Sequence, residues 1–522
     1  MNTSKKNEKF ALIIFGIIFF PILFLVFTSF FSETESLVYV IENLLVDYSY
    51  NTFKLIIITS IFSLIFGIIP AWYVSNFSFY GRGFIDVLLF LPLSIPTYIM
   101  AFTYSEILSF TGPLKIKIDL LQLEVLGIIL SFSLFPYIYA VSRISFSLMG
   151  SKFINMGKNL GLSVYKSFFK IIIPLSKPAI FSGLFLVIME VLNEYGAVKY
   201  FGVNTYTIGI FRTWNSMNDT GAAIQLSSIL LFIVAFLFIL EKKLNKKKLF
   251  SSLKNTKPIE LIKSTGNQKL LIYLVCLIPI IFSFIIPVLF NISNAIDNFD
   301  KIDLINLFQL TFNSVSISLI SAIIILVVSV YFLFNERFSN SKIYFYLNQF
   351  ISLGYSIPGA VIALAIIIYF TSIDKNIESI SLLGNFYVYL FILIYAYLIR
   401  FMAVGKSPIK SGFEKLPKSY DFTAESLGLR RFSIFQKIYL PINKFSFVSA
   451  LILVFIDLMK ELPIILILRP FNFDTLATQT YEFAIEEMLP LSSIYSLVII
   501  FVCSILLIIF KNIISRINVS RS

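Results

Sequence analysis

The chain has 522 residues, of which 58% are hydrophobic and 14% charged, with 58 Phe, no His and a net charge of +13. A mean hydropathy of +0.88 leaves too little polar surface to cover a domain in water, so a soluble enzyme is excluded and the bilayer is the solvent. The Lys and Arg residues sit in short segments between apolar runs, which is the pattern of the positive-inside rule and not of a nucleic-acid-binding face. The lack of His removes the commonest transition-metal ligand and general base. Cys276 and Cys503 fall inside apolar runs and read as small core residues, not as a disulfide.

Lys5, Lys6 and Lys9 precede the charge-free run 10–31. It is too long for a signal-peptide core and has no small-residue cleavage site, so it reads as a retained first helix. With roughly 20 residues needed to cross the hydrocarbon core, further spans are predicted at 53–75, 86–108, 125–143, 179–196 and 222–240. The pattern then repeats at 270–291, 312–334, 350–371, 382–400, 445–463 and 491–510. The fold class expected is all-α, a polytopic membrane protein of about twelve helices in two six-helix repeats.

Orientation follows from the basic residues. A cytoplasmic N-terminus places Arg143, Lys152, Lys158, Lys166, Lys170 and Lys177 inside, with the Lys-rich stretch 242–269 and the segment 400–444. Glu33, Glu35, Glu42 and Asp47 and the segment 297–303 then fall outside, and the C-terminus is cytoplasmic. Six spans per half is an even number, so the two halves share one topology and the repeat is parallel.

The duplication is visible in identities. Leu160-Gly161-Leu162 with Phe168, Lys170-Ile171, Pro174 and Lys177 superposes without a gap on Leu427-Gly428-Leu429 with Phe435, Lys437-Ile438, Pro441 and Lys444, an offset of 267 residues. Glu190 and Glu194 meet Asp457 and Glu461 at the same offset, while Asn51 meets Asn313 and Ser94-Ile95-Pro96 meets Ser356-Ile357-Pro358 at an offset of 262. The organisation expected is a first repeat at 1–241 with core 51–241 and loop 151–178, a basic linker at 242–269, and a second repeat at 270–522 with core 311–511 and loop 413–444. In the first loop a short helix at 155–160 is expected to end at Gly161, which accepts the left-handed conformation of helix termini. A second helical segment from about Ser163 is expected to stop at Pro174.

The Gly-to-Pro spacing of both loops resembles the EAA loop of binding-protein-dependent ABC import permeases, whose fold is the MetI-like type I importer fold. The resemblance implies that Asn155, Gly157, Leu160, Gly161, Ile171 and Pro174, with Ala424, Glu425, Leu427, Gly428, Ile438 and Pro441, couple the chain to an ATP-binding subunit. Where that family favours Glu-Ala-Ala, this chain has Asn155-Met156-Gly157 and Phe422-Thr423-Ala424, and Glu425 is displaced. Residues 91–98, the run Tyr200-Phe201-Gly202-Val203 and the segments 460–463 and 468–477 are similar to the ferric iron group of fused two-domain permeases.

That similarity implies iron(III) as cargo, two copies of an ATP-binding subunit on the cytoplasmic side, a periplasmic iron(III)-binding protein and a bacterial inner membrane. It also implies ATP and Mg on the partner and no cofactor on this chain. A thiamine permease, or one for another small solute, is the alternative within the class. An ion-gradient-driven secondary transporter is the alternative outside it. Gly405-Lys406-Ser407 is the only fragment like a phosphate-binding loop, but Arg400 stands where the leading Gly is needed, so the chain is expected to be no enzyme.

Carboxylates within spans are costly, so Glu190, Glu194, Asp457 and Glu461 are candidates to line the translocation path. Hard oxygen ligands suit a trivalent cation, and a transient iron contact is placed at Glu190 or Asp457, a turn deeper than the other two. The other reading is structural ion pairing, with Lys460 neutralising an acid on the other half. Pro96 and Pro358, with Pro92, interrupt apolar helices and read either as gates on the path or as passive kinks. The aromatic outer segments 197–221 and 464–490 read as interfacial anchors or as a receiving surface for the binding protein.

Overall fold

Within hydrocarbon each backbone N–H and C=O must be satisfied inside its own segment, which leaves the helix as the local solution for long apolar runs. The computed structural model describes residues 2–32, 35–110, 112–113, 115, 121–245, 261–339, 341–376 and 385–519. Among these residues nine helices are long and apolar enough to cross a membrane, or twelve if each of three bent pairs is one span. The chain is therefore an all-α polytopic protein, and each expected span has a counterpart. The centre of the basic linker, 246–260, lies outside the described residues.

Three helix pairs are sharply bent, and the first two correct spans read as single runs at 86–108 and 350–371. Arg82–Ser94 meets Thr97–Leu108 at 92°, Lys342–Ser356 meets Gly359–Asp374 at 108°, and Arg431–Ile442 meets Lys444–Lys460 at 78°. Pro96 and Pro358 stand at the first two breaks, and each forces the residue before it into extended backbone, with ψ 112° at Ile95 and 126° at Ile357. The carbonyl of Ile95 is freed by the break and accepts the Ser133 hydroxyl at 2.6 Å.

Other helices outrun their predicted spans. The fourth, expected at 125–143, is the front of a helix covering Leu123–Asn159, and the tenth, expected at 382–400, belongs to Phe386–Glu414. Arg400 therefore lies in mid-helix and is 4% exposed, not at the helix end where the sequence placed it. A charge lowers local hydropathy and so ends a predicted span, although the helix itself continues.

The residues group into two compact units. One holds 34–302 with 479–501, and it includes the first helix of the second repeat. There Asn291 donates to the Thr103 hydroxyl at 2.8 Å, the Tyr104 hydroxyl donates to the Phe282 carbonyl, and the Phe132 and Phe282 rings stack at 5.9 Å. A two-residue parallel ladder between Phe77–Ser78 and Ile262–Lys263 fastens the described end of the linker to the same unit. The other unit holds 1–33, 303–478 and 502–522. Its N-terminal helix receives a hydrogen bond from the Tyr395 hydroxyl at Ile17, and Phe20 and Phe24 lie 5.3 and 5.7 Å from Tyr369. Each repeat thus lends its first helix to the core built on the other.

Candidate coupling sites

Both repeated loops close with one backbone motif. In the first, the Gly161 N–H bonds the Lys158 carbonyl and the Leu162 N–H bonds Gly157, both at 2.9 Å. In the second, Gly428 bonds Glu425 at 2.9 Å and Leu429 bonds Ala424 at 3.1 Å. This is the Schellman arrangement, and it requires the left-handed backbone that Gly161 and Gly428 adopt at φ +74° and +72°. The turn lifts Leu160 and Leu427 into solvent, each 73% exposed, with Met156 and Phe422 beside them. The apolar tip is thus exposed to the same degree in both copies. Asn155 and Glu425 are exposed as well, whereas Gly157 and Ala424 face inward. A Cβ at Gly157 would stand 2.1 Å from the Ser167 hydroxyl, so only glycine lets the two segments approach so closely there.

The segment after each turn departs from the expected stop at proline. Beyond Val164–Ser167 the chain widens into a π-turn at Phe168–Ile172 and continues as one helix over Ile173–Asn193, straight through Pro174. The Ile173 N–H reaches back to the Phe168 carbonyl, and the wider ring accommodates the N–H that Pro174 lacks. The second copy has the same π-turn at Phe435–Tyr439 ahead of Pro441 and breaks only at Asn443. Ile171 and Ile438 are half-buried inside these π-turns. The separate short helix expected at 155–160 is instead the last turn of Leu123–Asn159. In the second copy the coupling helix does stand alone, over Lys418–Ser426 after Pro417.

Sequence reasoning missed what holds the loops. Trp72 lies 4.5 Å from Phe168 and 6.1 Å from Phe146, joining span, long helix and loop in one aromatic cluster. Phe334, Phe413 and Phe435 occupy the matching positions, with Phe334 and Phe435 at 5.5 Å. The second anchor adds an ionic network. Arg337 Nε donates to Asp421 at 2.7 Å, its two other nitrogens donate to the Phe413 and Leu416 carbonyls at 2.7 Å, and the Tyr439 hydroxyl donates to Asp421 at 2.5 Å. Part of the signal was in the sequence, since the aromatic positions match in kind at the two repeat offsets, whereas Arg337, Asp421 and Tyr439 do not.

The four acids occupy two kinds of place. Glu190 lies half-buried on its helix, but Glu194 is past the helix end, with ψ 129°. Glu194 is buried and accepts from Thr97 and from the Ala197 N–H at 2.9 Å. Glu461 occupies the same place in the other repeat. It accepts Arg400 Nη1 at 3.2 Å and the Ile464 N–H at 3.1 Å. Asp457 pairs with Lys460 at 3.3 Å on the same helix. Gly405-Lys406-Ser407 is continuous helix, and Lys406 bonds Ser352 at 2.8 Å and the Asn348 carbonyl; it forms no phosphate cradle. The outer segment after Leu468 turns through Asn472 at φ +60° with Phe471 90% exposed, and Arg469 pairs with Asp474.

The long apolar helices and the glycine-turned, apolar-tipped loop in each half define a duplicated multi-pass membrane protein. The family model described as "Binding-protein-dependent transport system inner membrane component" matches residues 63–249 and again 332–519, and the chain belongs to that family of ABC importer permeases. It is 26% identical over 459 residues to the Fe(3+)-transport system permease protein FbpB 2 of Haemophilus influenzae, covering 86% of each chain. It is also 27% identical over 154 residues to the sulfate transport system permease protein CysT of Escherichia coli, which covers 28% of this chain and 55% of that one. A probable sulfate permease of Chlorokybus atmophyticus matches at 26% over 204 residues.

Proposed function

We propose that this chain is the transmembrane subunit of an iron(III) importer of the bacterial inner membrane. A periplasmic binding protein delivers the metal, and two copies of an ATP-binding subunit, which carry the ATP and Mg, drive transport. The observation behind the partner is the pair of exposed Leu160 and Leu427 tips on identical glycine turns, one for each ATPase copy. Support for iron comes from the relative that matches across both repeats, 86% of each chain, where the sulfate permease matches less than a third of this one. Each ATPase copy grips one loop, and closure of the ATPase pair moves the helix that follows the loop, alternating the access of a path between the faces. Such transmission requires that the contact differ between the two states. Glu190 or Asp457 supplies a transient oxygen contact to the ion on the way.

The test is purification with the neighbouring gene products and an ATPase assay in liposomes, with the binding protein present or absent and with and without Fe(III). Stimulation only with Fe(III)-loaded binding protein is expected. Stimulation by another solute would move the chain to a different substrate within the class. Uphill transport by the isolated chain on an ion gradient would end the ATP-driven reading.

A further inference from the structure

The two coupling loops are joined to the membrane domain by different mechanical means. In the first repeat one helix, Leu123–Asn159, runs from the bilayer into the coupling loop without a break. In the second the matching helix ends at Glu414, Pro417 intervenes, and the coupling helix begins anew at Lys418. Pro417 matches Gly150 of the unbroken helix. A break of this kind leaves the last carbonyls of the helix without intrahelical donors and turns a rigid rod into a joint.

Arg337 spans that joint. It lies near the end of the helix Leu304–Phe338, with its side chain 12% exposed. Its three nitrogens reach one carbonyl before the break, Phe413, one within it, Leu416, and the carboxylate of Asp421 on the far side. Tyr439, in the π-turn that follows the glycine turn, closes the other oxygen of Asp421. A planar guanidinium with donors in a fixed fork holds three acceptors in fixed relation, which a lysine cannot do. The first repeat has none of this at the matching places. Arg337, Asp421 and Tyr439 answer there to Ser75, Ile154 and Ile172, of which the last two are buried in an apolar cluster. The three positions change together with the break, as expected if the network substitutes for helix continuity.

We propose that Arg337 is a positioning residue that couples the second loop to the transmembrane helices, standing in for the covalent helix that performs this task in the first repeat. The proposal rests on the reading that both loops dock on ATP-binding subunits. The experiment therefore measures two things on the complete complex in proteoliposomes: retention of the ATP-binding subunit on purification, and stimulation of its ATPase by the cognate binding protein. Arg337→Met is expected to retain the subunit and its basal hydrolysis but to lose stimulation by at least about fivefold, the low end of site-to-site coupling. Arg337→Lys is expected to fall between.

The triple variant R337S/D421I/Y439I, which imports the apolar anchor but keeps Pro417, is expected to stay uncoupled. Adding Pro417→Gly is expected to restore stimulation to within about twofold of the wild type, because the first repeat's whole solution is then in place. Wild-type stimulation in Arg337→Met, or equal recovery with and without Pro417→Gly, would overturn the proposal. Should Arg337→Met not assemble, the triple and quadruple variants still decide it. A wild-type chain that retains no ATP-binding subunit would instead defeat the docking reading, whatever Arg337 does.

Discussion

The two repeats keep the same glycine turns and exchange their buried polar groups in sets. Around the buried carboxylate, Thr97 donates to Glu194 and Ser133 to the Ile95 carbonyl in the first repeat, while the matching Gly359 and Arg400 stand beside Glu461 in the second. Near the loops, Asp86 accepts from Tyr139 and pairs with Arg143 at 2.6 Å, and the matching positions hold Asn348, Lys406 and Lys410, with Glu336 as an added acid bonded to Asn348 at 2.6 Å. Turn geometry is held fixed by contrast, with Gly161 and Gly428 within two degrees of φ. The lesson is energetic. A buried charge is tolerated only with its partners, so a cluster inside a bilayer protein changes as a whole or not at all. The glycine turns of the loops carry no buried charge and keep their shape.

The hardest test of this comparison is to change one member of a set. Arg400→Met leaves Glu461 buried without its cation. Breaking a pair in this way costs about 3–5 kcal/mol, enough to lower the melting temperature in detergent by many degrees or to prevent accumulation in the membrane. Gly359→Thr alone should be nearly as harmful, because a Cβ there would stand 2.1 Å from Arg400 Nη1 and 2.8 Å from Glu461. Combined as Gly359→Thr with Arg400→Ser, the two changes install the first repeat's set and are expected to recover most of the loss. If the double variant is as unstable as the worse single one, the exchange of sets is not what keeps these residues compatible.

A smaller effect is expected at the turns, where the repeats agree. Replacing Gly161 and Gly428 together by Val forces a β-branched residue into left-handed backbone, at about 1–2 kcal/mol per position. No atom lies within 4 Å of a Cβ at either glycine, so the penalty is conformational and not steric. It should fall on the loop and not on the core. The expected result is loss of ATP-binding subunit on purification with a nearly unchanged melting temperature. Asn at both positions tolerates this backbone better and should retain more of the subunit. Equal loss in a control that places Val at Gly202, also at positive φ but outside both loops, would show that the effect is not local to coupling.

What could be read from the sequence was whatever the repeats share by identity. Leu160-Gly161-Leu162 and its copy gave the loops, and apolar run length gave each of the spans, because the bilayer imposes a length on every one. The anchors escaped for the opposite reason. Ser75 and Arg337, or Ile154 and Asp421, match in position but not in kind, and a search for identities passes over them. Bends at Pro96 and Pro358 were marked by residue type, but whether a proline ends a helix depends on surroundings. Pro174 is carried through by a π-turn that no residue announces, while Ile95 is extended before Pro96 and Ser133 satisfies its carbonyl. Arg400 was misplaced because hydropathy reads charge as water, and a charge matched by Glu461 does not need water.

The smallest effect is expected at Asp457 and Lys460, where the second repeat has an ion pair and the first has Glu190 answering to Asp457. Side chains 15% and 19% exposed leave this pair nearer solvent than Arg400 with Glu461, at 5% and 2%, so its coupling energy is expected to be the smaller of the two. A double-mutant cycle of Asp457→Asn and Lys460→Met on the melting temperature measures it. On that ground Asp457→Asn should leave the fold and the retention of ATP-binding subunit intact. Solute delivery is the separate readout, and Glu190→Gln is its counterpart in the first repeat. If Asp457→Asn stops delivery while the binding protein still stimulates the ATPase, the carboxylate touches the cargo. If delivery persists in both variants, these acids serve their own helices, and the path is lined by other groups.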